Sequence, residues 1–121
     1  MLTREKWSDA AGEFLINELQ EDYESIKIEV EIGRAHLYRI EGGRGWIITR
    51  IDVFPDQSKE MALVALRGSD APEVVEHIKE KCRALGIPSM RFHSSRPGAE
   101  RFAKKMNFQM VEQVFRCEVN G

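Results

Sequence analysis

A chain of 121 residues, 42% hydrophobic and 31% charged, is long enough for one core and has a globular balance that excludes extended disorder. No apolar run approaches the roughly 18 residues of a membrane span. The opening stretch, MLTREKWSDAAGEF, lacks a signal peptide's apolar centre, so one cytoplasmic domain spanning 1–121 is expected. Net charge is −2 but uneven: residues 1–32 hold nine acids against three bases, and residues 79–105 hold eight bases against two acids.

Residues 3–20 read as an amphipathic helix. Thr3 is a candidate N-cap, and Trp7, Ala10, Ala11, Phe14, Leu15 and Leu19 recur at helical spacing. At Ile26 the period changes to two: Ile26, Ile28, Val30 and Ile32 alternate with Lys27, Glu29 and Glu31. That pattern predicts a strand with one wet face, with a short helix over Tyr23 to Val30 as the alternative. Residues 35–41 (AHLYRIE) and 46–54 (WIITRIDVF) are rich in aromatic and β-branched types, and Gly42-Gly43-Arg44-Gly45 between them supplies a hairpin turn. After a turn at Pro55-Asp56-Gln57-Ser58, the continuous apolar run MALVAL, residues 61–66, predicts a central strand buried on both faces.

Asp70, with Glu73 three residues later and Pro72 in the first turn, predicts a capped helix with the stripe Val74, Val75, Ile78, Cys82 and Leu85, ended by Gly86. Residues 90–94 (MRFHS) predict a strand, 99–106 (AERFAKKM) a short helix, and 108–119 (FQMVEQVFRCEV) a closing strand or strand pair. Two cysteines without a CxxC pair, Cys82 and Cys117, are expected as buried or half-buried thiols. Trp7 and Trp46 are expected as core anchors. His36 and His77 have no companions at metal-ligand spacing, so no metal site is expected. The strand–helix–strand unit over 61–94 requires parallel strands within an otherwise antiparallel sheet. A ligand is expected in the crevice at their C-terminal ends.

This order of elements resembles the GNAT superfamily of N-acetyltransferases from residue 3 to about 119. MALVALRGSDAPEVVEHIKEKCRALGI looks like that family's central strand, phosphate-binding turn and following helix. SMRFHSSRPGAERFAKKMNFQMVEQVFRCEV looks like its next strand, its short helix with Met106-Asn107-Phe108 in place of Leu-Gly-Phe, and its closing strands. The resemblance implies an α+β fold with a mostly antiparallel mixed sheet, a central β-α-β unit and flanking helices. It implies an acetyl-CoA-dependent transfer to an amine, small-molecule or protein, with backbone groups of Val64 to Leu66 pairing the pantetheine arm and Arg67, Gly68 and Ser69 at the phosphates. Asp70 and Pro72 stand where the family's turn has small residues, and Ala103 stands where many members carry a proton-donating tyrosine. Glu60 and His93 are the candidate bases, and Ser94 or Ser95 a candidate substrate contact.

A second expectation is a non-catalytic module of the same fold. The chain's compactness is similar to small members encoded by tailed bacteriophages, and its oppositely charged segments suit homo- or hetero-oligomeric contacts. Arg96, Arg101, Lys104 and Lys105 form a basic cluster suited to a 3′-phosphate or an acidic partner. Nucleic-acid binding is disfavoured, because Phe92 and Phe102 hold core-like positions rather than interleaving with the bases.

Overall fold

The elements of the computed structural model, which describes residues 1–94 and 96–120, run in chain order. They are β1 (Leu2–Glu5), α1 (Asp9–Phe14), α2 (Ile16–Leu19), a 3₁₀ turn (Gln20–Asp22), α3 (Tyr23–Glu31), β2 (His36–Ile40), β3 (Gly45–Val53), β4 (Lys59–Gly68), α4 (Ala71–Leu85), β5 (Ser89–Phe92) and α5 (Ala99–Lys105). The strands form one sheet in that same order, antiparallel except for the parallel pair β4 and β5. The expected α+β architecture with a central strand–helix–strand unit is therefore present.

The sheet separates two cores. On one face Ile40, Ile47, Met61 and Leu63 pack against Val74, Val75, Ile78 and Cys82 of α4 and against Met106. On the other, Leu37, Ile48 and Ala65 pack against Ala11, Leu15, Leu19, Ile26 and Val30. Leu15, Leu37, Ile40, Ile47, Ile48, Val74 and Val75 are completely enclosed, each contributing about 1.5–3 kcal/mol by leaving water. α4 ends as its sequence predicts: Gly86 takes a left-handed φ of 71°, and the Ile87 N–H reaches back to the Cys82 carbonyl at 2.9 Å.

Several expectations are corrected. Leu85, expected on the apolar stripe of α4, is 64% exposed, while Val74, Val75, Ile78 and Cys82 of that stripe are buried. The segment expected to open a helix at Thr3 starts as β1, because Leu2–Glu5 pairs with β2; helix begins at Asp9, with Ser8 Oγ accepting from the Ala11 N–H. Residues 26–32 are largely helix, and the alternative reading holds. Ile26 and Val30, four apart, are buried on α3, while Ile28 and Ile32 are 55% and 69% exposed. Asp70 occupies the N-cap position of α4 but with φ 62° and no side-chain cap; its carboxylate pairs with Arg44 instead. Residues 109–119 carry no strand and lie exposed, Cys117 among them, whereas Cys82 is buried as expected. Trp7 and Trp46 are half-buried and pack at the edge of the second core. Ser95 lies outside the described residues. No helix among the described residues is long and apolar enough to cross a membrane.

Candidate functional site

The site begins with an irregularity in β4. In the β3–β4 ladder Ile48 lies opposite Ala65 and Thr49 opposite Leu63, so Val64 has no residue facing it. A bulge of this kind bends a strand and increases its twist. It falls where β5 departs: the parallel pairing runs from Glu60 opposite Ser89 to Leu63 opposite Phe92 and stops. β4 continues to Gly68, so from Val64 onward its edge borders an opening.

The bulge also exchanges the faces of the strand. Before it, Met61 and Leu63 pack toward α4; after it, Leu66 does so while Ala65 joins the other core. Arg67 thereby turns toward α1 and α2. Its guanidinium lies 4.9 Å from the centre of the Phe14 ring and donates to the Phe14 carbonyl at 3.1 Å. Its Nε is 3.9 Å from Glu18 Oε1.

Glu18 was not singled out by the sequence reading, yet it is the most enclosed acid at this opening. Its side chain is 6% exposed, and Arg96 Nη1, on the segment after β5, donates to Oε1 at 3.1 Å. Arginines from both sides of the opening thus converge on one carboxylate. Its second oxygen, Oε2, is buried with no hydrogen-bond partner. Buried polar atoms are nearly always satisfied by protein or water, so this oxygen stands out at the opening. The only sequence signal was Glu18's place between Leu15 and Leu19 on an apolar helical stripe.

The phosphate-binding turn that the resemblance implies would lie at residues 67–72. The Ser69 N–H donates to the Arg44 carbonyl at 3.1 Å. Gly68, at φ 152°, is required by that same oxygen, which would sit 2.2 Å from an added Cβ. Asp70 places its carboxylate at the start of α4, 2.5 Å from Arg44 Nη1, and Pro72 has no N–H to give. This turn binds the β2–β3 hairpin loop and does not fit a pyrophosphate. The free β4 edge, in contrast, fits an extended, amide-bearing arm.

Glu60 sits at the opposite end of β4. Arg91 donates to its Oε1 at 2.5 Å and Ser89 Oγ to its Oε2 at 2.8 Å. Arg91 also meets Asp52 at 2.7 Å, and Arg50 joins Asp52 to Glu29 of α3 at 2.7 and 2.9 Å. Burial pushes the Asp52 carboxyl up, but hydrogen bonds from Arg50 and Arg91 outweigh it and hold the group below the usual carboxylate range. His93 lies just past β5, at the lip of the opening; it is well exposed and 3.8 Å from Glu112 Oε2. Glu60 and His93 are separated by the length of the β4–β5 pairing and do not meet. Val64, Leu66, Arg67, Gly68 and Ser69 are contiguous along the opening. On α5, Ala103 offers no proton, and Phe102 and Phe108 pack on Phe92 with ring centres 6.1 and 5.0 Å away. Arg101, Lys104 and Lys105 are solvated.

No family model matches the sequence, and no curated protein matches it. Solved structures do. Ribosomal-protein-alanine N-acetyltransferase from Brucella melitensis biovar Abortus 2308 is similar at TM-score 0.64 and 11% identity, over 98% of this chain and 98% of that one. Glucosamine-6-phosphate N-acetyltransferase from Arabidopsis thaliana is similar at TM-score 0.60 and 12% identity, over 98% and 99% of the two chains. A predicted acetyltransferase with acetyl-CoA from Clostridium acetobutylicum is similar at TM-score 0.63 and 9% identity, over 99% and 97%. The chain therefore has the GNAT acetyltransferase fold over nearly its whole length.

Proposed function

We propose that this chain is an N-acyltransferase that accepts an acyl thioester in the opening between β4 and β5 and passes the acyl group to an amine. The observation that supports this best is the bulged β4 with a free edge from Val64 to Gly68, over which Glu18 holds a buried carboxylate with one unpartnered oxygen. Acetyl-CoA, present in one similar structure, would supply the activated acetyl group.

The chain's own residues divide the work. Backbone groups of Val64 and Leu66 pair an extended arm as a neighbouring strand would. Arg67 and Arg96 fix Glu18, whose Oε2 accepts a proton from the incoming amine as its nitrogen bonds to the acyl carbon; the C–S bond breaks and the coenzyme leaves as a thiolate, which takes its proton from water. A base so placed contributes about 10²- to 10⁴-fold. His93, at the lip and open to solvent, carries protons to and from water. With Ala103 in place of an acid, most of the acceleration comes from holding the reactants together.

The blocked turn at Ser69 and Asp70 favours a second reading, a binding module on which the same opening serves no chemistry. The two are separated by following thiol release from acetyl-CoA in the presence of a panel of primary amines. The enzyme reading expects release above the buffer rate, lowered at least about 10²-fold by Glu18→Gln with the circular dichroism spectrum unchanged. No release with any amine would leave the binding module.

A further inference from the structure

On the α4 face the sheet is only partly covered. The apolar stripe of α4 runs to its last turn, yet Leu85 there stands exposed, and Ile51 of β3 is 37% exposed. Both flank a cavity of about 200 Å³ between the second half of α4 and the sheet. Leu2, Tyr38, Met61 and Ile78 complete its apolar lining. Such a space holds about seven waters and lies below the roughly 300–1,000 Å³ of pockets for drug-sized ligands.

The polar groups at this cavity are all of one kind: donors. Lys81 holds its Nζ 5.5 Å from the centre of the Tyr38 ring, and His36 stands edge-on to the same ring with centres 6.4 Å apart. Thr49, 4% exposed, adds a hydroxyl. Burial, then the charge of Arg4, holds the His36 pKa below its ordinary value, so the ring is neutral at pH 7 and offers one N–H. No carboxylate lines the cavity, and Lys81 forms no ion pair among the described residues. A cation without an anion thus stands over an apolar floor, which is complementary to a ligand with an apolar body and a negative head. A bare phosphate would leave that floor wet.

We propose that this cavity binds a small monocarboxylate, with its apolar body against Ile51, Met61, Ile78 and Leu85 and its carboxylate accepting from Lys81 Nζ beside His36 and Thr49. The body of the ligand covers the apolar surface that Leu85 and Ile51 leave in water, and the ammonium supplies a charge-assisted hydrogen bond. The cavity meets β4 at Met61, whereas the β4–β5 opening begins at Val64. The proposal goes beyond the acyl-transfer reading and stands without it.

Titration of methyl-labelled protein with hexanoate, with phenylacetate and with the primary amide of each, followed by nuclear magnetic resonance, tests the proposal. At least one acid should give saturable shifts at the methyls of Ile51, Met61, Ile78 and Leu85 at millimolar concentration. The matching amide should bind at least about 10-fold more weakly, since it lacks the charge that Lys81 meets. Lys81→Met, which keeps an apolar stem, should weaken binding of the acid about 10-fold. Its circular dichroism spectrum should be unchanged, because Lys81 is exposed. The absence of saturable shifts at these methyls with either acid would overturn the proposal. So would amides that bind as tightly as the acids, or acid binding that survives Lys81→Met at full strength.

Discussion

Gly45 and Gly68 show how a single residue ties the hairpin to the opening. They face each other across β3 and β4, and a Cβ on either would meet a carbonyl oxygen, at 2.0 Å from Arg67 or 2.2 Å from Arg44. Gly45→Ala and Gly68→Ala should each cost about 2–3 kcal/mol in denaturant unfolding. Gly33→Ala, at φ 81° with nothing within 4 Å, should cost only about 1–2 kcal/mol from backbone strain. The family resemblance implied that Gly68 lies at the phosphates; the structure adds a steric reason for glycine there, which residue type alone could not reveal. Burial, then the charge of Arg4, lowers the His36 pKa, and burial, then Lys81, lowers that of His77. The unfolded chain therefore binds protons first. Stability should be full above about pH 7 and fall as pH drops through about 6.5 toward the lower folded values. Denaturant midpoints between pH 7.5 and 5 check this, and His36→Gln with His77→Gln should flatten the profile.

At the scale of elements, what the sequence revealed depended on how local its cause was. The β2–β3 hairpin was legible because Gly42-Gly43-Arg44-Gly45 dictates its own turn, and α4 because its stripe and Gly86 are complete within fifteen residues. β1 was not legible, since its strand character comes from pairing with residues 37–40 far along the chain. The alternation in residues 26–32 misled because Ile26 and Val30 satisfy both a two-residue and a four-residue spacing. The helix makes a separating prediction. Ile26→Ala should cost about 2–4 kcal/mol and Ile28→Ala less than about 0.5 kcal/mol by equilibrium unfolding; a strand would make the two losses alike. The crevice at the C-terminal ends of β4 and β5 was legible from the strand–helix–strand unit. The Val64 bulge depends on register between two strands, so neither it nor Arg67's turn toward Glu18 could be read in advance. Glu18 itself gained meaning only when Arg67 and Arg96, remote in sequence, were brought to it.

Across the whole molecule the uneven charge becomes a division between faces. The acidic first 32 residues supply α1–α3 on one side of the sheet, and the basic 79–105 region supplies much of α4 and α5 on the other. Such a dipolar body favours ordered association and a salt-dependent one. The opening lies where the two halves meet, crossed by Arg96 reaching Glu18. Its use as an acyl-thioester site is the central claim, and titration of the labelled protein with acetyl-CoA, read at the backbone amides, tests it most directly. Saturable shifts at Val64 to Arg67 and at His93, with Asp70 and Ala71 unmoved, are the predicted result: an arm held on the β4 edge without a phosphate cradle. Shifts confined elsewhere, or none at millimolar coenzyme, would contradict it.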